Sequence, residues 1–244
     1  MTDFAHATLR DLQHTERERF IARHPQSIAL ARDAQQHYLF GVPLHWMRDW
    51  PSPATLFVAQ AQGATLTCAD GLVYADFCLG DTGAMFGHSP APLAQAISEQ
   101  AARGLTCMLP STNAATVGQL LSNTFGLPMW QMALSASDAN RFVLRWARAI
   151  TGRPQLLVFD GCYHGAVDDT LVDMDPVTGH TLPRRSVLGQ VHNHADFTRV
   201  VPFNDLDALE AALKQGDVAC LLAEPALTNF GLVPPAPGFW EQAR

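Results

Sequence analysis

From about residue 112 onward, short apolar runs alternate with segments of helical spacing, and this alternation limits the fold more than any other feature of the chain. NAATVGQLLSNTF (113–125), DANRFVLRWARAIT (138–151) and DLDALEAALKQG (205–216) read as helices. Between and after them QMALS (131–135), QLLVFD (155–160), RVVPF (199–203) and VACLLAEP (218–225) read as strands. Apolar strands separated by helices pack as a mostly parallel sheet with helices on its faces, so an α/β fold is expected. Such sheets bind ligands beyond the carboxyl ends of their strands. The closing PGFWEQ opens a further helix without a cap, which predicts that the sheet is incomplete in these residues.

The first part of the chain follows a different pattern. Residues 5–37 carry many charges at helical spacing around Leu9, Leu12, Phe20 and Ile21, predicting one or two solvated peripheral helices. From 56 to 79 apolar and polar residues alternate around Asp70-Gly71, which predicts a small antiparallel sheet with a tight turn. Pro90 and Pro92 then introduce a helix with Leu93, Ile97 and Ala101 on one face and Gly104 as its stop. The expected division is an N-terminal segment at 1–109 and the start of a larger domain at 110–244.

Composition removes several function classes. A formal charge of −7 over 244 residues, with no long basic run, offers no footprint for a nucleic-acid backbone. The 5 cysteines are odd in number and form no CxxC, against a disulfide framework and a Cys-rich zinc site; a reducing cytoplasm is the expected location. No apolar run is long enough to predict a membrane span.

Three motifs fall where strands give way to loops. In SASDA (135–139), Ser135 and Asp138 form a capping box. The same helix start, with small Ala136 and the hydroxyls of Ser135 and Ser137, also suits a phosphate. GCYHG (161–165) follows the next strand and brings an aromatic ring, Tyr163, to the same rim, where it could stack on a ring attached to that phosphate. AEPALTNFG (223–231) adds Glu224 and Asn229, which as isolated residues equally suit loop caps. His192, His194 and Asp196, or His164 with Asp168 and Asp169, raise the alternative of a metal-dependent hydrolase, although no HExxH or comparable spacing completes a site.

Taken in order, CADGLVYADF, GDTGAMFGHSP, SASDANRFVLRWARAITGR, FDGCYHG and AEPALTNFGLVPPAPGF resemble the class III aminotransferases, fold type I enzymes that use pyridoxal 5'-phosphate. Within them the chain is most similar to the branch of glutamate-1-semialdehyde aminomutases and beta-amino-acid transaminases, from about residue 40 onward. The resemblance implies a phosphate loop at Ser135, Ala136 and Ser137, with Asp138 keeping the acid. It implies a ring stacked on Tyr163, Asn229 near the phenolic oxygen of the pyridine, and Glu224 in support. Arg48, in GVPLHWMRDW, lies near the family's arginine for the substrate carboxylate. A glycine of the family loop is Ala136 here, which limits how closely the backbone can approach a phosphate.

The resemblance also implies a Schiff-base lysine and an aspartate at the pyridine nitrogen, both expected beyond Arg244. The one lysine in the sequence, Lys214, falls at the exposed end of a helix, at the wrong end of the following strand. The intact protein is therefore expected to exchange an amino group between an amino acid or amino aldehyde and a keto partner, as a homodimer, with the present chain inactive alone. A non-catalytic remnant or binding module is the alternative from another class.

Overall fold

The computed structural model describes residues 3–81, 83–185 and 187–244, without the side chains of residues 3–7. Thr82, within the GDTGAMFGHSP stretch, is outside the described residues. The chain divides into two compact units, Met1–Ser111 and Thr112–Arg244.

In the first unit, helices α1 (Asp3–Arg23) and α2 (Pro25–Ala34) precede a three-stranded antiparallel sheet of β1 (Val58–Gln62), β2 (Thr65–Cys68) and β3 (Val73–Ala75). The expected turn at Asp70-Gly71 joins β2 to β3, with Gly71 at φ +77°, a conformation that costs glycine little. Asp70 also caps α2 from a distance, accepting from the amides of Gln26 (2.6 Å) and Ser27 (3.1 Å) and from the Ser27 hydroxyl (2.6 Å). The N-terminal helices are therefore not wholly solvated: Ser27 is fully buried, and buried His24 bridges the Phe20 carbonyl and the Tyr74 hydroxyl. Helix α3 (Ala91–Ala101) forms after the prolines as expected, but its apolar face is open, with Leu93 and Ile97 55% and 56% exposed.

In the second unit, α4 (Ala114–Phe125) and α5 (Ala136–Thr151) lead into β4 (Gln155–Phe159). A hairpin of β5 (Val172–Met174) and β6 (Thr181–Pro183) follows, then β7 (Thr198–Val201), α6 (Leu206–Leu213), β8 (Val218–Leu221) and α7 (Phe239–Ala243). Strand β4 is central and parallel to both neighbours in the order β7-β4-β8. Its run Leu156, Leu157, Val158 and Phe159 is buried on both faces, which accounts for an apolar run without alternation. Phe159 anchors an aromatic cluster with Phe203, Phe239 and Trp240, at ring separations of 5.1, 5.7 and 6.1 Å.

Two expectations are corrected. Residues 131–135 are irregular rather than a strand: a strand needs a neighbour to take its hydrogen bonds, and no described strand pairs with this segment, whose Met132 and Leu134 are exposed. Residues 166–197, between β4 and β7, hold the β5–β6 hairpin and short 3-10 turns. Helix α5 starts two residues before the apolar periodicity does, because its cap, not its core face, sets the boundary.

Leu157 is completely buried between two parallel neighbours, so Leu157→Ala should lower the stability of this unit by about 3 kcal/mol in urea unfolding. Thiol labelling should separate the cysteines, since Cys78 and Cys107 are exposed whereas Cys162 is buried and its thiol is pushed up to about 12 by that burial. Ellman's reagent at pH 8 should titrate Cys78 and Cys107 in the native protein and reach Cys162 only after unfolding.

Candidate functional site

The site lies at the carboxyl end of β4, where three loops of the second unit meet. At its base, Ser135 takes extended backbone angles and starts α5 as its N-cap. Its Oγ accepts from the Asp138 amide at 3.1 Å and donates to Asp138 Oδ2 at 2.8 Å. Asp138 thus closes the capping box on the serine side chain. The amides of Ala136 and Ser137 belong to the first turn and lie outside the helix's own ladder, at the end where the helix dipole is positive.

GCYHG leaves β4 through two left-handed glycines, Gly161 at φ +77° and Gly165 at φ +83°. Both positions are also spatially closed to a side chain. A Cβ on Gly161 would lie 2.0 Å from the Phe230 ring, and one on Gly165 would lie 2.2 Å from Ser137 Oγ. The second approach lets the Ala166 amide donate to Ser137 Oγ at 3.0 Å. Ser137 therefore turns its oxygen toward the loop while its own proton stays free to be donated.

The third loop begins after β8. Glu224 accepts from the Tyr163 amide at 3.1 Å through one oxygen, and from the amide (3.0 Å) and hydroxyl (2.9 Å) of Thr228 through the other. With three donors committed to it, this carboxylate acts as a latch between loops. Asn229 is exposed at the tip of a turn closed by the antiparallel bridge of Leu227 and Val233, and neighbouring Phe230 covers Gly161. The structure thus brings Ser135, Ala136, Ser137, Tyr163 and Glu224 to one rim, with Asn229 on the loop that Glu224 secures.

The Tyr163 ring is half exposed at 52%, but its neighbours Cys162 and His164 are buried. Burial holds the His164 imidazole below its usual 6.5, only partly offset by the Glu224 charge and by a hydrogen bond to the Leu222 backbone. Its Nε2 is buried without a hydrogen-bond partner among the described residues. Arg184 braces the same loop from the β5–β6 hairpin, with Nε on Asp173 at 2.9 Å and Nη2 on the carbonyls of Cys162 (3.4 Å) and Val172 (3.2 Å).

Other candidates sit elsewhere. Lys214 ends α6 in the exposed ion pair with Glu210 at 2.9 Å. His192, His194 and Asp196 lie in and beside a 3-10 turn where Asp196 is held by Asn193, and no group of three or more metal-ligating side chains is assembled among the described residues. Arg48 belongs to the first unit. Its guanidinium stacks 4.2 Å from the Phe40 ring centre, and its Nε pairs with Asp49 at 3.2 Å.

Sequence reading passed over Asn140, Arg141, Thr228 and Arg184. Asn140 and Arg141 follow Ser137 at i+3 and i+4, a spacing that puts all three on one helix face, so that signal was present. Arg184 carried none, because its partners Asp173 and Cys162 are distant in sequence, whereas Thr228 lies four residues after Glu224 in the AEPALTNFG segment.

Known proteins resemble this chain in sequence and in fold. The family of class-III aminotransferases matches residues 47–244. The glutamate-1-semialdehyde 2,1-aminomutase of Ignicoccus hospitalis is 33% identical over 195 residues, covering 79% of this chain and 46% of that protein. A glutamate-1-semialdehyde-aminomutase structure from Pseudomonas aeruginosa PAO1 superposes with a TM-score of 0.92 at 50% identity, over 97% of this chain and 52% of that one. A second structure of that aminomutase is a complex with PMP. An omega-transaminase from Sphaerobacter thermophilus gives 0.80 at 27% identity, over 91% and 52%. The chain spans about half the length of these relatives. Among the described residues no helix is long and apolar enough to cross a membrane.

Two outcomes test the local geometry. Gly165→Ala meets both a positive φ and a 2.2 Å contact, and should cost about 2 to 4 kcal/mol in thermal or urea unfolding. Because His164 resists protonation when folded, the unfolded chain binds the extra proton as pH falls below 6.5, and stability should decline in that direction. Urea unfolding at pH 7.5 and 5.5 should show a larger loss for the wild type than for His164→Gln.

Proposed function

The chain belongs to the class-III aminotransferase family, and from that premise we propose that it forms the phosphate- and ring-binding part of a pyridoxal-phosphate-dependent enzyme. That enzyme transfers an amino group between an amino acid or amino aldehyde and a keto partner. The residues present suit such a group. Gly165 lets its loop pass directly against Ser137, and beside that contact a helix start and a half-exposed aromatic residue share one rim.

In this reading the amides of Ala136 and Ser137 and the hydroxyl of Ser137 hold the phosphate, and Ser135 joins them by exchanging its Asp138 acceptor for a phosphate oxygen. Tyr163 offers its face to the pyridine, Glu224 keeps the Tyr163 peptide in place, and Asn229 contacts the phenolic oxygen. Arg48 is the proposed contact for the substrate carboxylate, its guanidinium half exposed beside Phe40. When bound, the cofactor supplies the electron sink for amino-group transfer. The proton-transferring amine is not assigned to Lys214, which is solvated and ion-paired at the end of α6. A homodimer acting on small molecules in the cytoplasm is proposed with it, supported by family membership and by 5 free cysteines.

The observation that carries this reading is the contact between Ser137 Oγ and the Ala166 amide, which ties the start of α5 to the loop of Tyr163. Titration calorimetry should show tighter binding of pyridoxal phosphate than of pyridoxal, and Tyr163→Ala should weaken the phosphate form by about tenfold. Borohydride treatment should leave Lys214 without a stoichiometric pyridoxyl label by mass spectrometry. Equal binding of the two compounds, or full labelling of Lys214, would refute the assignment.

A further inference from the structure

Helix α5 presents Ser137, Asn140, Arg141, Leu144 and Arg148 on its inward side, at i, i+3, i+4, i+7 and i+11. Leu144 is buried in the core and Arg148 reaches Asp169 at 2.9 Å. The three residues nearest the helix start all bind the loop that carries Tyr163. Ser137 Oγ accepts from the Ala166 amide, Arg141 donates to the Ala166 carbonyl, and Asn140 Nδ2 donates to the His164 carbonyl at 2.9 Å.

Asn140 differs from the other two in what it holds. The Tyr163 amide is secured by Glu224, and the carbonyl of the following residue, His164, is secured by Asn140. The tyrosine thus lies between two anchors from different elements, one on the loop after β8 and one on α5. The His164 side chain is buried at 7% exposure, so the backbone here cannot adjust by swinging that residue into water. Removing the Asn140 donor leaves the part-buried carbonyl unpaired and frees one side of the tyrosine.

We infer that Asn140 is a positioning residue: it fixes the distance and tilt between the helix start that receives a phosphate and the Tyr163 ring that receives a planar heterocycle. This rests on the cofactor reading above. Asn140 touches neither end of the ligand in this assignment and acts through the loop, coupling the two subsites so that a ligand with both groups gains from each.

The test uses Asn140→Ala and the nearly isosteric Asn140→Asp, which keeps the shape and loses the donor. Amide hydrogen exchange at residues 162–166 should speed up by about tenfold in both variants, while the amides of β4 stay protected and report an intact fold. Calorimetry should show pyridoxal phosphate binding weakened about tenfold and inorganic phosphate binding unchanged. In a Tyr163→Ala background, Asn140→Ala should bring no further loss, because the group it positions is gone. Unchanged exchange at 162–166, equal weakening of inorganic phosphate, or additive losses in the double variant would each overturn the inference. If the wild type fails to prefer pyridoxal phosphate over pyridoxal, the cofactor reading falls, and the exchange measurement still decides whether Asn140 anchors the loop.

Discussion

The rim of the second unit depends on a missing carbon atom. Where Gly165 passes α5, any other residue would place a Cβ 2.2 Å from Ser137 Oγ. Only that close passage allows the Ala166 amide to use the serine as an acceptor. Through this one contact the helix start and the tyrosine loop form a single surface, and the loop after β8 then joins it through Glu224. The order of dependence runs from backbone to side chain to site. A displaced Gly165 would loosen the Ser137 contact first, then the Asn140 contact, and with them the tyrosine.

Beneath the rim, the scaffold is stiffened by burial and by arginines used as brackets. Strand β4 is covered on both faces and paired on both edges, so its end at Phe159 has little freedom. Arg199 grips both oxygens of Asp217 at 2.6 Å and the Ala212 carbonyl at 3.3 Å, joining β7 to the chain entering β8. Arg148 joins the far end of α5 to Asp169 and the Pro154 carbonyl. Each bracket uses several N–H groups of one planar fork, which a lysine ammonium cannot match in geometry. The bracketed ends lie away from the rim, so the loops at the rim can be specialised while the frame is held elsewhere.

Local signals account for what was legible in the sequence. The central strand announced itself by an unbroken apolar run, the hairpin by Asp70-Gly71, and the start of α5 by Ser135 and Asp138, all within a few residues. Residues 131–135 misled because apolar content promises burial but a strand also requires a paired neighbour, which composition cannot report. The β5–β6 hairpin was hidden for the opposite reason: three-residue strands in a polar stretch carry too little alternation to read. At the site, Tyr163 and the serines stood in recognisable motifs. The bonds that orient them, such as the Tyr163 amide to Glu224 and Arg184 to Cys162, join residues whose proximity only the fold creates.

The scarcity of lysine has a chemical consequence apart from geometry. The positive charges that brace the tyrosine loop belong to Arg141 and Arg184, and the single amine side chain of the sequence is ion-paired on α6. A guanidinium stays protonated at any physiological pH and is a poor nucleophile, whereas a neutral amine condenses readily with an aldehyde. Arginine in place of lysine therefore braces this loop with side chains that hold its carbonyls and do not condense with a carbonyl compound.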